Sequence, residues 1–255
     1  MTASPWPQRW HDLRIAALDV ETTGFDPEQE RVIEVGIVTF ERGEMVERWG
    51  ALINPGKAIP EEVQQLTGIK DEDVAGQPSF SAFAKEIHRR LQGVAVCAYN
   101  LSFDRSFIAA ELGRAGLGWP TDAPTLDPLI FARELQREHR SMKLGEVAER
   151  LGIKLENAHR AEDDAEVAGR VMYALGAELP ESLSDILMLQ AQWEVQQERS
   201  MAAWRRQDID RGPSAALQSV EAMGGRAVGL GPGYLYGDEL DPLRALYASI
   251  PDLKR

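Results

Sequence analysis

The chain has 255 residues, 44% of them hydrophobic and 27% charged, which excludes a disordered or fibrous protein and allows one large domain, with or without an appendage. The 41 acidic residues outnumber the 28 lysines and arginines and give a net charge of −13, which argues against a tight, non-specific duplex-DNA binder, because such proteins neutralise phosphates with basic residues. No apolar run approaches the ~20 residues of a membrane span, and the first 14 residues contain no apolar signal segment, so we expect a cytoplasmic protein without membrane association. Cys97 is the single cysteine, so we expect no internal disulfide.

The first part of the chain is predicted to form three strands. An apolar run, an alternating β-branched segment and a third segment of strand character lie at 14–20, 32–40 and 44–53. The connections between them are short and contain the turn residues Asp26, Pro27 and Gly43. Strands joined in this way pair as antiparallel hairpins.

Helical and strand patterns alternate after these three strands. Helices are predicted at 60–66, 80–91, 103–115, 128–138, 142–151 and 161–175, with a buried strand at 94–99 and a short edge strand at 124–127. Three strands followed by alternating elements predict a mixed α/β sheet of about five strands with helices packed on it, in a domain at about residues 12–178.

Residues 179–255 differ from this domain and are predicted to form an extension. A long glutamine-rich helix at 182–207 carries a partial apolar stripe that includes Trp193 and Trp204, and a glycine-rich stretch and a short helix at 242–250 follow it. The glycine-rich stretch lacks the Gly-Lys-Ser/Thr of a phosphate-binding loop. The tryptophan stripe either braces the domain or binds a partner, and we favour the brace.

Acidic residues lie at the ends of two predicted strands and at the start of one helix. Asp19 and Glu21 share one face at the end of the first strand, where they repel each other unless protonated or bound to a cation. Asp104 follows the buried strand, at the carboxyl end of a strand, where open α/β sheets bind ligands. Asp164 opens the last helix of the domain, five residues after His159. Each of these candidate functional residues also has a purely structural interpretation, such as a helix cap, a solvated acidic first turn or a structural histidine.

The three acidic segments, DVETTG, NLSFD and HRAEDDA, resemble in order the motifs of the DEDDh (DnaQ-like) 3′–5′ exonucleases of the RNase H-like fold group. The resemblance covers about residues 14–176 and includes LINPGKAIPEEVQQLTGIKDEDVAGQPSF and TLDPLIFARELQREHRSMKLGEVAERLGI. The position of His159 marks the histidine branch, because the tyrosine branch would have Tyr at position 160, which is Arg160. The resemblance implies an RNase H-like mixed five-stranded sheet with flanking helices.

The resemblance also implies a set of functional residues. Two Mg²⁺ or Mn²⁺ ions would be held by Asp19, Glu21, Asp104 and Asp164, with His159 as general base. Oxygen ligands suit these hard cations, and imidazole titrates near neutral pH. The implied substrate-binding residues are Thr22, Thr23, Gly24, Phe25, Leu66, Thr67, Asn100 and Phe103, although Phe25 could equally be a core or loop aromatic residue.

The predicted activity is metal-dependent 3′–5′ hydrolysis of single-stranded or frayed DNA ends, with release of nucleoside 5′-monophosphates. One alternative is an exoribonuclease or oligoribonuclease, since recognition of the 2′-hydroxyl depends on the shape of the pocket. Another is a proofreading-type accessory subunit that binds a polymerase or repair partner through 179–255. The complete set of five catalytic-type residues argues against a purely structural role.

Overall fold

A computed structural model describes residues 5–120, 123–155 and 158–211, with side chains up to residue 201. The glycine-rich stretch, the predicted helix at 242–250 and the side chain of Trp204 lie outside the described residues. Within the described ranges, no helix is both long enough and apolar enough to cross a bilayer.

The described residues form one mixed sheet of five strands. These are β1 (Arg14–Thr22), β2 (Val32–Glu41), β3 (Glu44–Leu52), β4 (Ala95–Cys97) and β5 (Thr125–Leu126), in the spatial order β3-β2-β1-β4-β5. β1, β2 and β3 pair antiparallel, whereas β4 runs parallel to β1 and β5 parallel to β4. The predicted hairpins, the mixed sheet and the short edge strand are therefore confirmed.

Helices pack on both faces of the sheet. They are α1 (Glu61–Thr67), α2 (Asp71–Val74), α3 (Phe80–Leu91), α4 (Leu101–Arg114), α5 (Pro128–Leu135), α6 (Leu144–Arg150), α7 (Ala161–Leu175) and α8 (Leu183–Arg211). The helix predicted at 128–138 ends three residues early, and the sequence patterns did not predict α2 or the short 3₁₀ turns at Trp10–Asp12 and Gly176–Glu178. Pro60 lies at the N-cap of α1, one residue before its predicted place.

The two faces of β1 belong to two separate hydrophobic clusters, because successive side chains of a strand point to opposite faces. Ile15 and Ala17 pack with residues of α5, α6 and α7, whereas Ala16 and Leu18 pack with residues of α3 and α4. Asp19 continues the row of Ile15 and Ala17. The sequence of β1 therefore directs its acidic end toward the face that α7 covers.

The first half of α8 packs against the domain that precedes it. Leu183 and Ile186 are buried in the same cluster as α5 and α7, and the Trp193 ring meets the Phe131 ring edge-on at 6.0 Å. The side-chain nitrogen of Gln197 donates to the carbonyl of Ile130 at 3.0 Å. This part of α8 shares the core of the domain, while a domain boundary at residue 178 stays a prediction.

Candidate active site

Three acidic side chains meet at one end of β1. Asp19 and Glu21 lie on β1 itself, and Asp104 lies in the first turn of α4. The Asp104 carboxylate is buried and accepts a hydrogen bond of 3.0 Å from the backbone N–H of Val20, the residue between the other two acids. This bond fixes the start of α4 against the end of β1.

Helix α7 brings a fourth carboxylate, Asp164, to the same place. Gly36 lies opposite Asp19 in the β1–β2 register, and a Cβ at that position would lie only 2.2 Å from the backbone of Ala161. Because Gly36 has no side chain, the first turn of α7 can approach the sheet closely. Asp164 lies in that first turn, and it is buried.

His159 lies in the turn that leads into α7. Its backbone N–H donates to the Asp164 carboxylate at 2.8 Å, and its φ of 65° is a left-handed conformation that residues with a Cβ seldom adopt. Potential ligand atoms of Glu21, His159 and Asp164 all lie within 4.8 Å of one another. The turn therefore places the imidazole beside the carboxylates.

Sequence reasoning missed an ion pair, between the buried Glu34 and the exposed Arg160, that supports this turn. Glu34 lies opposite Glu21 on β2 and accepts 2.7 Å and 3.0 Å hydrogen bonds from the guanidinium of Arg160 and the backbone N–H of Ala161. These bonds hold the two residues that follow His159. The available signal was a glutamate within the apolar strand sequence VIEVGIV.

The carboxylates share one electrostatic environment. Burial raises the pKa of Asp19 and of Asp104 well above the ordinary value, and neighbouring carboxylates add to this effect. Burial and the charge of Asp164 raise the pKa of Glu21 to about 8. Burial also raises the pKa of Asp164 to about 6, against the opposing influence of His159. Such a group of acids needs protons or cations to offset its mutual repulsion, and its oxygen donors suit hard divalent cations.

A second residue that sequence reasoning missed, Asp127, anchors the junction between β4 and α4. Its carboxylate accepts 3.0 Å hydrogen bonds from the backbone N–H groups of Asn100, Leu101 and Leu129, so that it caps both α4 and α5. Its own N–H donates to the side chain of Gln190 on α8 at 2.8 Å. The sequence signal was an aspartate directly before a proline-initiated helix. Asn100, a predicted substrate residue, has a left-handed φ of 76° at this junction.

The predicted substrate residues that follow Glu21 form a tight turn. The Thr22 hydroxyl donates to the carbonyl of Gly24 at 2.6 Å. The Thr23 hydroxyl donates to Glu30 and accepts a 3.0 Å bond from the N–H of Arg31. Both hydroxyls are therefore used inside the turn, and their role toward a substrate stays a prediction.

Two half-buried aromatic rings lie next to this turn. The centroids of the Phe25 and Phe103 rings are 6.4 Å apart, and the Phe103 ring is 4.9 Å from that of Phe107. Phe103 immediately precedes Asp104. The structure thus brings the two predicted aromatic contacts together beside an acidic residue of the site.

Leu66 and Thr67 lie at the end of α1. Thr67 is buried, and its hydroxyl donates to the carbonyl of Val63 at 2.9 Å and accepts a 3.1 Å bond from the N–H of Ile69. Leu66 is half-buried. These bonds give Thr67 a structural role at the helix end, and substrate contacts of both residues stay predictions.

Comparison with known proteins identifies the family. The Exonuclease (RNase_T) family model matches residues 16–172, which is more than half of the chain. The chain belongs to this exonuclease family. The predicted resemblance to the DnaQ-like exonucleases and the predicted class of enzyme are therefore confirmed.

Curated relatives of this exonuclease include proteins of different lengths. The 3′–5′ exonuclease DinG of Bacillus subtilis (strain 168) is 37% identical over 159 residues, which cover 62% of this chain and 17% of DinG. The epsilon subunit of DNA polymerase III of Treponema pallidum (strain Nichols) is 34% identical over 157 residues, which cover 61% of this chain and 73% of that subunit. The chain thus spans less than a fifth of DinG and nearly three quarters of the epsilon subunit.

Solved structures show the same fold. The zinc-ion-bound form of E. coli exonuclease I with single-stranded DNA has a TM-score of 0.58 at 20% identity, over 65% of this chain and 41% of that chain. The similarity at this identity concerns the fold, and it confirms the predicted RNase H-like α/β architecture of this exonuclease.

Proposed function

We propose that this chain is a metal-dependent 3′–5′ exonuclease that removes nucleoside 5′-monophosphates from single-stranded or frayed DNA ends. The observation that carries the proposal is the meeting of four carboxylates, from β1, α4 and α7, with His159 at the carboxyl end of β1. Membership of the exonuclease family supports it.

The donor set fits divalent cations. Mg²⁺ or Mn²⁺, in two sites, would be held by Asp19, Glu21, Asp104 and Asp164, all oxygen donors, in a pocket where burial and mutual repulsion disfavour bare carboxylates. Bound there, the cations would supply positive charge to the attacking and leaving oxygens of an in-line displacement at phosphorus.

The chain's own residues would supply the proton transfer and the orientation of the substrate. His159 would accept, at a ring nitrogen, the proton that the attacking water loses. The hydrogen bond from its backbone to Asp164 keeps the imidazole beside the acids. Phe25 and Phe103 would stack against the last bases of the strand, because aromatic rings accept any base without reading its sequence.

Single-stranded DNA is the proposed substrate, and a polymerase or repair complex the proposed setting. The single-stranded DNA in the E. coli exonuclease I structure and the epsilon subunit among the relatives support this assignment. A polymerase or repair partner would bind through the extension at 179–255, outside the part of α8 that packs on the domain.

Digestion of matched DNA and RNA oligonucleotides tests the proposal. Single- and double-stranded 20-mers labelled at the 5′ end would be incubated with Mg²⁺, with Mn²⁺ or with EDTA, and the products resolved on a gel. We expect a ladder that shortens from the 3′ end of single-stranded DNA, only with a metal. Faster digestion of RNA would show that RNA, and not DNA, is the substrate. Undiminished activity in EDTA would contradict the metal-dependent mechanism.

A further inference from the structure

A groove between α8 and the segment that follows α5 collects positive charge. Its cavity of about 330 Å³ is lined on one side by Arg133, Arg137, His139 and Arg140, and on the other by Gln197 and Ser200 of α8. We call this feature the arginine groove. Its volume is within the range of ligand-binding pockets, and its polar α8 wall consists of neutral hydrogen-bonding groups.

The charge of the arginine groove contrasts with that of the whole chain, which is −13. Among the lining residues that the structure describes, Glu134 is the one carboxylate, and it is bonded to Arg137 and, at 2.9 Å, to the side-chain nitrogen of Gln197. Arg140 is exposed and has no ion pair with an acid in the described part of the chain. The groove therefore offers an uncompensated positive charge.

The arginine groove is fixed in place relative to the candidate active site. The hydroxyl of Tyr99, which directly precedes Asn100, donates to the carbonyl of Met142 at 2.6 Å. The guanidinium of Arg150 donates to the carbonyl of Ser141 at 3.0 Å. Helix α5, whose cap Asp127 also binds the start of α4, has eight residues and is about 12 Å long. The groove lies at the far end of α5, about one helix length from that cap.

We propose that the arginine groove binds the phosphodiester backbone of the strand a few nucleotides to the 5′ side of the bond that is cut; this inference rests on the proposed function. Guanidinium groups match phosphate with paired hydrogen bonds, and Gln197 and Ser200 add neutral contacts that do not depend on sequence. The groove would let an acidic protein hold a polyanion, with its cationic contacts placed away from the acidic site.

Removal of two arginine charges tests the groove. The double variant Arg137→Gln/Arg140→Gln would be compared with the full-length wild-type chain on two substrates with Mn²⁺: a single-stranded dT 20-mer, and thymidine 5′-monophosphate p-nitrophenyl ester, which has no upstream phosphates. We expect the KM for the 20-mer to rise about tenfold. The logarithm of the association constant for the 20-mer should fall less steeply with the logarithm of the salt concentration, with a slope smaller in magnitude by about one to two. Hydrolysis of the ester should stay at the wild-type rate.

The matched control is Lys85→Gln/Arg89→Gln on α3. Arg89 is paired with Glu86 three residues before it, as Arg137 is paired with Glu134, and Lys85 is exposed. This control removes the same number of positive charges, two, from another face, and it should change the KM for the 20-mer little. An equal rise in the KM for the 20-mer in both double variants would show a general charge effect and would contradict the proposed role of the groove.

The remaining outcomes separate the groove from the proposed function. If the wild-type chain hydrolyses neither substrate, the proposed function fails, and binding of a fluorescent dT 20-mer, measured by anisotropy, still decides the groove. An unchanged affinity of the groove variant for the 20-mer, or an equal loss on both substrates, would overturn the groove. A poly-glutamate peptide that binds the wild-type chain as tightly as the 20-mer, and loses affinity in the groove variant, would assign the groove to an acidic protein partner instead.

Discussion

At the scale of single residues, the acids of the candidate site destabilise the metal-free protein while equipping it to bind cations. Burial and neighbouring carboxylates oppose the ionisation of Asp19, so the neutral amide of Asp19→Asn should raise the melting temperature in EDTA. The same change should lower the exonuclease rate by several orders of magnitude. Melting curves and gel-resolved digestion measure the two effects. The exposed control Asp185→Asn should alter neither by much, and an active Asp19→Asn variant would remove Asp19 from the site.

His159 is the residue whose role depends most on the geometry of its turn. Because an imidazole must be neutral to accept a proton, the wild-type rate should rise with pH through the imidazole range. His159→Gln should lower turnover by about 10²–10⁴-fold, with little change in KM, and should lose this rising limb. Rates at saturating substrate from pH 5.5 to 8.5 would measure this. A variant with near wild-type turnover would show that His159 is not the base.

At the scale of elements, α8 is connected by hydrogen bonds to the junction that positions Asp104. The Gln190 side chain accepts from the N–H of Asp127 at 2.8 Å and donates to the carbonyl of Thr125 at 3.2 Å. Gln190→Ala would leave the buried N–H of Asp127 and the half-buried carbonyl of Thr125 without these partners, at a cost of about 1–3 kcal/mol. Such a loss lowers the melting temperature of a domain of this size by about 2–4 °C per kcal/mol. Thermal melting beside the exposed control Gln192→Ala tests this, and equal melting temperatures would contradict a bracing role.

A truncation after Pro180 tests the predicted domain boundary at the same scale. It removes Leu183 and Ile186, which are buried in the cluster that contains α5 and α7. We expect the fragment 1–180 to melt well below the full chain, because loss of large buried side chains costs several kcal/mol. Circular dichroism melting of both proteins measures the difference. A fragment as stable as the full chain would establish an independent domain that ends near residue 178.

The sequence predicted the elements of the site well, because their patterns are local. The apolar run before Asp19, the buried strand before Asp104 and the small-residue helix after His159 each lie within one segment of the chain. Glu34 and Asp127 were not predicted, because most of their partners lie far away in the sequence. Glu34 binds Arg160, 126 residues later, and Asp127 accepts from Asn100, 27 residues earlier. Alternation along a strand shows that such a side chain faces inward, but only the packing of α7 shows what it meets.

At the scale of the whole molecule, the acidic cluster should make the stability of the metal-free protein fall as the pH rises. The pKa is about 8 for Glu21 and about 6 for Asp164 in the folded protein, against about 4 in an unfolded chain. Between these values the folded state binds more protons than the unfolded state, so the free energy of unfolding decreases with pH. The favourable contribution is complete below about pH 4 and is lost as the pH passes through about 6 and about 8.

Melting temperatures in EDTA should therefore fall from pH 5 to pH 9, and Mg²⁺ or Mn²⁺ should restore more stability at the high end, because ligands of the folded state stabilise it and cations compete with protons for the same oxygens. Glu21→Gln removes the group whose pKa is raised to about 8, so the melting temperature of this variant in EDTA should fall less above pH 6. The exposed control Glu138→Gln should follow the wild type. A wild-type melting temperature that rises with pH in EDTA, or a metal effect that does not grow with pH, would contradict a shared cation site at this cluster.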